Sequence, residues 1–271
     1  MRVLRYFNIC VVAFVICSFI TLKVSAQYYV GTTGLLHMPT ADMQQDKTFM
    51  FGGSFLNKNI TPSPQWDYNT FNYYVNITFL PWLEISYDLT LNKGRPTGYW
   101  PKKTWGKFVN QDRQFTARFR LWKEGWYYDW MPQVVLGAND PGSHEDHGGG
   151  KIVIDDDNNT NHFTRFFLAA TKHLTFEGLG EIGAHAAIIY SREDNNYFTR
   201  PAVGANFELN LLETDKWQKW VNGLNLMAEF DGEGVNIGGT YKIWRDNINV
   251  IVELHECKYF SGGVFFKLHL K

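Results

Sequence analysis

From Asn222 to Lys271 apolar and polar residues trade places one by one through four short runs, and this pattern constrains the fold more than any other feature. Leu224, Leu226, Ala228 and Phe230 alternate with Asn225, Met227, Glu229 and Asp231. Val235, Ile237, Gly239, Tyr241 and Ile243 alternate with Asn236, Gly238, Thr240 and Lys242. Past Trp244-Arg245, Ile248, Val250, Val252 and Leu254 are set against Asn247, Asn249, Ile251 and Glu253. Val264, Phe266, Leu268 and Leu270 then oppose Phe265, Lys267 and His269. A period of two is the signature of strands, whose successive side chains point to opposite faces. Antiparallel sheets on a soluble core also alternate. Here the polar face carries charges and amides, which suits a closed barrel with hydrocarbon outside and a polar lumen.

The same period runs upstream. Strands are expected at about 49–56, 70–80, from Leu83 to Leu91, 112–122, 132–139 and 162–172. Two more carry Ile182, Ala184, Ala186 and Ile188, and Val203, Phe207, Leu209 and Leu211. With the last four, the count is twelve. The first connections run roughly 13, 2, 20, 8, 22 and 8 residues, long and short by turns, as in bacterial barrels with short periplasmic turns and longer outer loops. An even count returns the chain to the periplasm. The expected fold is all-β: an antiparallel transmembrane β-barrel of about twelve strands, forming one domain over residues 27–271. Ser261, Gly263, Phe266 and Leu268 resemble the C-terminal pattern by which outer-membrane barrels are recognised for insertion.

Residues 1–26 read as a secretory signal peptide. Arg2 and Arg5 precede an apolar run from Ile9 to Leu22, too short for a comfortable span, and Val24-Ser25-Ala26 supplies a cleavage site. Cys17 lacks the small preceding residue of a lipid-anchor site. Cleavage would remove three of the 26 basic residues, leaving 23 against 27 acids, so no basic excess points to nucleic acid. Of the mature chain's cysteines only Cys257 remains, which excludes an intrachain disulfide. Aromatic residues reach 17%, with Trp82, Trp122 and Trp244 among those at segment ends, where barrels carry interfacial girdles. The expected location is therefore the outer membrane of a Gram-negative bacterium, with its lipid as a partner.

The segment Gly31-Thr32-Thr33-Gly34-Leu35-Leu36-His37-Met38-Pro39-Thr40-Ala41 has two glycines suited to tight turns, a proline that keeps its neighbourhood extended, and apolar residues able to anchor against a wall. It suits a seal. It also resembles the opening of the YjbH-type family of outer-membrane exopolysaccharide and capsule proteins, with Gly31, Gly34, Leu35, Pro39 and Thr40 as the matching positions. Val134–Gly142, Ala170-Thr171-Lys172, Glu229-Phe230-Asp231-Gly232 and Val235-Asn236-Ile237-Gly238 resemble further family features. Asp42 stands where family members often have Arg, and typical members are longer. The resemblance implies a role in export or assembly of exopolysaccharide or capsule, with polysaccharide and other export-machinery proteins as partners.

Polar candidates concentrate on the expected lumen face: Glu84, Asp88, Arg118, Arg120, His185, Glu208, Glu229, Asp231, Lys242, Glu253 and Lys267. Glu84 and Asp88 on one strand lie next to Arg118 and Arg120 on the following one, as cross-strand ion pairs would. The same residues suit a structural clamp or a hydrated, polysaccharide-contacting path. No cofactor or metal is expected: Asp155–Asn159 departs from a calcium loop at Thr160 and Phe166, and His144-Glu145-Asp146-His147 reads as a solvated loop. No nucleophile–base pair is set out, so no catalytic residue is assigned. A barrel enzyme using His185 with Glu181, or His162, and a soluble secreted β-sandwich or adhesin are the rival classes.

Overall fold

The computed structural model describes residues 29–270 apart from 63–65, 97–99, 144–150, 153–162, 194–195 and 213. The expected signal peptide, His144–His147, Asp155–Asn159 and His162 lie outside the described residues. The strands are β1 (Thr48–Leu56), β2 (Thr70–Leu80), β3 (Leu83–Lys93), β4 (Phe108–Trp122), β5 (Gln133–Asn139), β6 (Gly142–Ser143), β7 (Lys151–Ile152), β8 (Arg165–Phe176), β9 (Gly180–Glu193), β10 (Asn196–Leu209), β11 (Leu224–Phe230), β12 (Val235–Trp244), β13 (Ile248–His255) and β14 (Tyr259–His269). Twelve of them close a barrel, and β6 with β7 forms a small ladder of its own between β5 and β8. Every barrel neighbour is antiparallel, and closure is made by β1 on β14, Thr48 opposite His269. Closure leaves the barrel without an unpaired edge.

The even count puts the start of β1 and the end of β14 at one end of the barrel, called here the proximal end. The alternation of long and short connections holds through β9. Then it inverts: two residues separate β9 from β10 distally, while a fourteen-residue proximal segment with a short helix (Lys216–Val221) joins β10 to β11. Most strand boundaries match the alternation, but β4 begins earlier than the expected 112, and β8 begins and ends later than the expected 162–172. β10 begins at Asn196, ahead of Val203, and ends at Leu209, short of the expected Leu211.

The two faces of the wall are inverted relative to a water-soluble protein. On β2, Phe71, Tyr73, Val75 and Phe79 are exposed on the outer surface, while Asn72, Asn76 and Thr78 are buried inside. β4 exposes Phe115, Phe119 and Leu121 and buries Gln114, Thr116 and Arg118. β9 turns Ile188 out and His185 in. Outer rings stack between neighbouring elements, as Phe51 of β1 does on Phe266 of β14 and Trp82 of the β2–β3 turn on Phe119 of β4.

The lumen is not purely polar. Met50, Val135, Phe167, Ile189, Met227 and Phe265 point inward and are buried. Against them packs the segment from Tyr29 to Gln44, which lies inside the barrel as a plug, with Leu35, Leu36, Met38, Ala41 and Met43 buried. Burial of these side chains supplies apolar contact in a chain whose one cysteine among the described residues, Cys257, is free. A second cluster of Tyr29, Val30, Ile60, Trp66 and Phe163 closes the distal mouth, with the Trp66 indole donating to the Leu91 carbonyl at 3.0 Å.

Candidate functional site

The plug and the wall residues that hold it form the candidate site. The plug follows a lap through the lumen. Its first residues hang on β2: the Asn72 and Asn76 side-chain amides donate to the Tyr29 and Gly31 carbonyls at 2.7 and 3.0 Å. Gly31 adopts φ +77 under the Tyr74 ring, where an added Cβ would sit 2.7 Å from two Tyr74 carbons. Only glycine meets both demands. A bridge between Gly34 and Pro39 then folds the chain into a hairpin, whose tip is tightened by Leu35 N–H donating to the Met38 carbonyl at 3.2 Å.

A carboxylate meets each end of this hairpin. Near the proximal end Glu84 lies opposite Arg118 in the β3–β4 register, and the two form an ion pair of 2.8 Å with both side chains fully buried. Glu84 also accepts the Thr33 N–H at 2.8 Å and the Asn76 amide at 2.7 Å. Arg118 in turn donates to the carbonyls of Thr40 and Asp42. Near the distal end, on β11, Glu229 receives the hairpin tip: the N–H groups of Leu36 and His37 donate at 3.0 and 2.6 Å, and that of Met38 is shared between both oxygens at 3.3 Å. Asn236 on β12 adds a donor at 3.1 Å. Backbone donors that turn toward a carboxylate are charge-assisted and stronger than neutral pairs.

His37, at the tip, stacks on Tyr29 and places Nε2 3.2 Å from Glu253. Burial works against its charged form, but Glu253, Glu229 and Asp231 outweigh burial and raise its pKa above the ordinary value. His255 lies beside it, with ring centroids 4.7 Å apart. Asp231, in the turn after β11, caps that turn by accepting N–H groups of Glu233 and Gly234 at 2.9 Å each, and the Asn236 amide at 2.8 Å.

At the proximal exit Asp42 gathers a third group. His173 Nε2 stands 3.3 Å from it and His185 Nδ1 3.9 Å, while Gln133 donates to it. His173 also receives Glu124, reaching in from the β4–β5 connection at 2.7 Å. The Thr171 hydroxyl accepts the Ala41 N–H at 2.9 Å and pairs with His185 Nδ1, whose other nitrogen meets Asn206 at 2.7 Å.

The remaining candidates fall outside the plug contacts. Asp88 lies opposite Gln114 rather than an arginine, and accepts from Asn72 at 2.8 Å. The expected Asp88–arginine pair is therefore absent among the described residues, because Arg118 and Arg120 lie four and six positions along β4. Arg120 donates to the Pro81 carbonyl at 2.8 Å, at the proximal rim. Glu208 pairs with Lys242 at 2.9 Å, and Lys267 with Asp246 at 3.2 Å. Sequence reasoning missed the part played by Asp42, which registered only as a departure from a motif, and missed Trp66, which sits in an aperiodic loop. It also missed the lumen-facing apolar row, whose signal is the pairing of two apolar neighbours, as in Ile188-Ile189 and Phe265-Phe266.

Comparison with known proteins agrees with the sequence motifs. Residues 26–184 match the family model YjbH, described as "Exopolysaccharide biosynthesis protein YbjH". The match takes in the plug and runs from β1 into β9. Over 113 residues the chain is 31% identical to an "Uncharacterized lipoprotein YjbH" of Escherichia coli (strain K12). That alignment covers 41% of this chain and only 14% of the lipoprotein. With more than half of its length matched by the family model, and with the plug motif seated in a closed barrel, the chain belongs to the YjbH family.

Proposed function

We propose that this protein is a plugged outer-membrane barrel that serves, without catalysis, in the export or assembly of surface exopolysaccharide or capsule. The observation that carries the membrane reading is the inverted wall. Rows of exposed Phe, Tyr, Val and Leu ring the outside, while Glu84, Arg118 and Lys267 are buried within. An apolar surface of that extent would associate in water, whereas hydrocarbon covers it at no cost. Family membership supports the polysaccharide side of the reading. The non-catalytic part is supported by His185, the first rival for a catalytic base, whose two nitrogens are taken by Thr171 and Asn206. With the plug seated, the closed form is the resting one, and passage through the barrel requires the plug to move.

The test has two arms. Extraction from envelopes should need detergent, and the extracted chain should shift mobility on heating in a denaturing gel. Deletion of the gene should reduce surface polysaccharide, with complementation restoring it. Release by salt alone would defeat the membrane reading, and unchanged polysaccharide would defeat the export reading.

A further inference from the structure

The distal end of the plug holds an arrangement that sealing does not require. His37 at the hairpin tip, Asp231 in the β11–β12 turn and His255 at the end of β13 are all buried, and each offers a ligand atom within 4.8 Å of the other two. They come from three segments far apart in the chain. We propose that these three residues bind a divalent transition metal, zinc being the best fit, and that the metal fastens the plug to two neighbouring hairpins of the wall.

Several observations carry this. His255 is only 8% exposed, yet its Nδ1 is buried with no hydrogen-bond partner among the described residues. A buried imidazole nitrogen left unpaired is costly, and a metal ion satisfies it. The Glu253 carboxylate beside His37 Nε2 is the type of outer partner that fixes a ligating histidine's tautomer: an Nε2–H given to Glu253 leaves Nδ1 its lone pair. Asp231 spends three acceptor positions on Glu233, Gly234 and Asn236, and a carboxylate has about four.

Donor chemistry selects the metal. Two imidazoles and a carboxylate suit zinc and its neighbours, whereas calcium and magnesium take oxygen ligands. Ligands about 2.1 Å from a tetrahedral zinc lie roughly 3.4 Å apart, so atoms within 4.8 Å close by at most about 1.4 Å on binding. Side-chain rotation supplies that. This inference does not depend on the proposed export role.

The experiment uses the full chain without an affinity tag, purified in detergent, stripped with chelator and titrated with zinc chloride in excess magnesium and calcium. Bound zinc is counted by elemental mass spectrometry, and cobalt substitution is read from visible absorption. One zinc per chain is expected. His37→Ala and His255→Ala should each weaken binding by about 100-fold or more, and Cys257→Ser, beside the site but outside the triad, should leave it unchanged. Heat-modifiable mobility reports whether each variant keeps its barrel; if His255→Ala does not, His255→Gln and Asp231→Asn take its place. Absence of zinc, zinc retained by the histidine variants, loss of zinc in Cys257→Ser, or displacement by calcium or magnesium would each overturn the assignment.

Discussion

Glu84 and Glu229 are the same residue in the same kind of lumen-facing row, yet the protein neutralises them differently. Glu84 meets a fully buried arginine from the neighbouring strand and lends the plug a single backbone acceptor. Glu229 has no lysine or arginine ion pair among the described residues and spends its oxygens on three successive N–H groups of the hairpin tip. The first carboxylate ties wall to wall and catches the plug in passing. The second is committed to the plug. Breaking the first should damage the barrel, and breaking the second should free the plug while the barrel stands.

The largest effect is expected at Arg118. Arg118→Met leaves Glu84 charged, buried and unpaired, and should cost about 3–5 kcal/mol. The double variant Arg118→Met with Glu84→Gln should regain most of the loss, because no charge remains to be solvated. The readout is the temperature at which the barrel loses its compact gel mobility. If the double variant is as weak as the single one, the pair's cost is not an unpaired charge and the account of Glu84 is wrong.

Glu229→Ala comes next. It orphans three buried donors, at about 1–3 kcal/mol each before the tip relaxes into what space it can find. Hydrogen exchange at Leu36, His37 and Met38 should accelerate, with proteolysis inside residues 31–43, while the strands stay protected. Glu229→Gln keeps a carbonyl acceptor and should fall in between. Uniform exchange across plug and strands would mean that the two carboxylates do the same job.

A third carboxylate sharpens the contrast. Asp140, just past β5 at the distal rim, is buried, and burial with a contribution from Asp112 pushes its pKa up to about 8. Below that pH the carboxyl carries a proton. Between the ordinary 3.8 and about 8 the folded protein holds a proton that the unfolded chain has released. Stability therefore falls as pH rises through that window, by at most about 1.4 kcal/mol per pH unit, and levels off above it. Asp140→Asn should flatten the decline of the unfolding temperature between pH 6 and 8. Parallel curves for the two proteins would show the carboxyl already ionised.

How much of this could be read beforehand follows from what sets each feature. The strands were legible because a wall with an apolar outer face and a largely polar inner face imposes a period of two: β2, β11 and the last three strands fall where Phe71–Phe79, Leu224–Phe230 and Val235–Leu268 alternate. β8 read poorly because Phe167 and Ala169 face the apolar part of the lumen, so both faces of the strand are apolar there. That apolar part is where the plug packs, a segment without periodicity. Its glycines and proline marked it as a seal, but its anchors are side chain to backbone, and backbone N–H groups leave no trace in residue type. Glu229 could be placed on the lumen face, but not joined to Leu36, His37 and Met38, 191 to 193 residues away.

The smallest predicted effect tests the plug's seat by shape rather than charge. Gly204 on β10 lies under the hairpin tip, and a Cβ there would stand 2.6 Å from a Leu35 methyl, 2.8 Å from the Met38 sulfur and 3.0 Å from Glu229 Cβ. Two of these three neighbours are ends of flexible side chains and can give way. Gly204→Ala should therefore cost only about 1 kcal/mol, the low end for over-packing, with the tip shifted rather than expelled. Exchange at Leu36–Met38 should rise modestly, far less than in Glu229→Ala. The ordering carries the argument: if one methyl under the tip frees the plug as fully as loss of the carboxylate, then close packing holds the hairpin, and the three hydrogen bonds to Glu229 merely follow from where it lies.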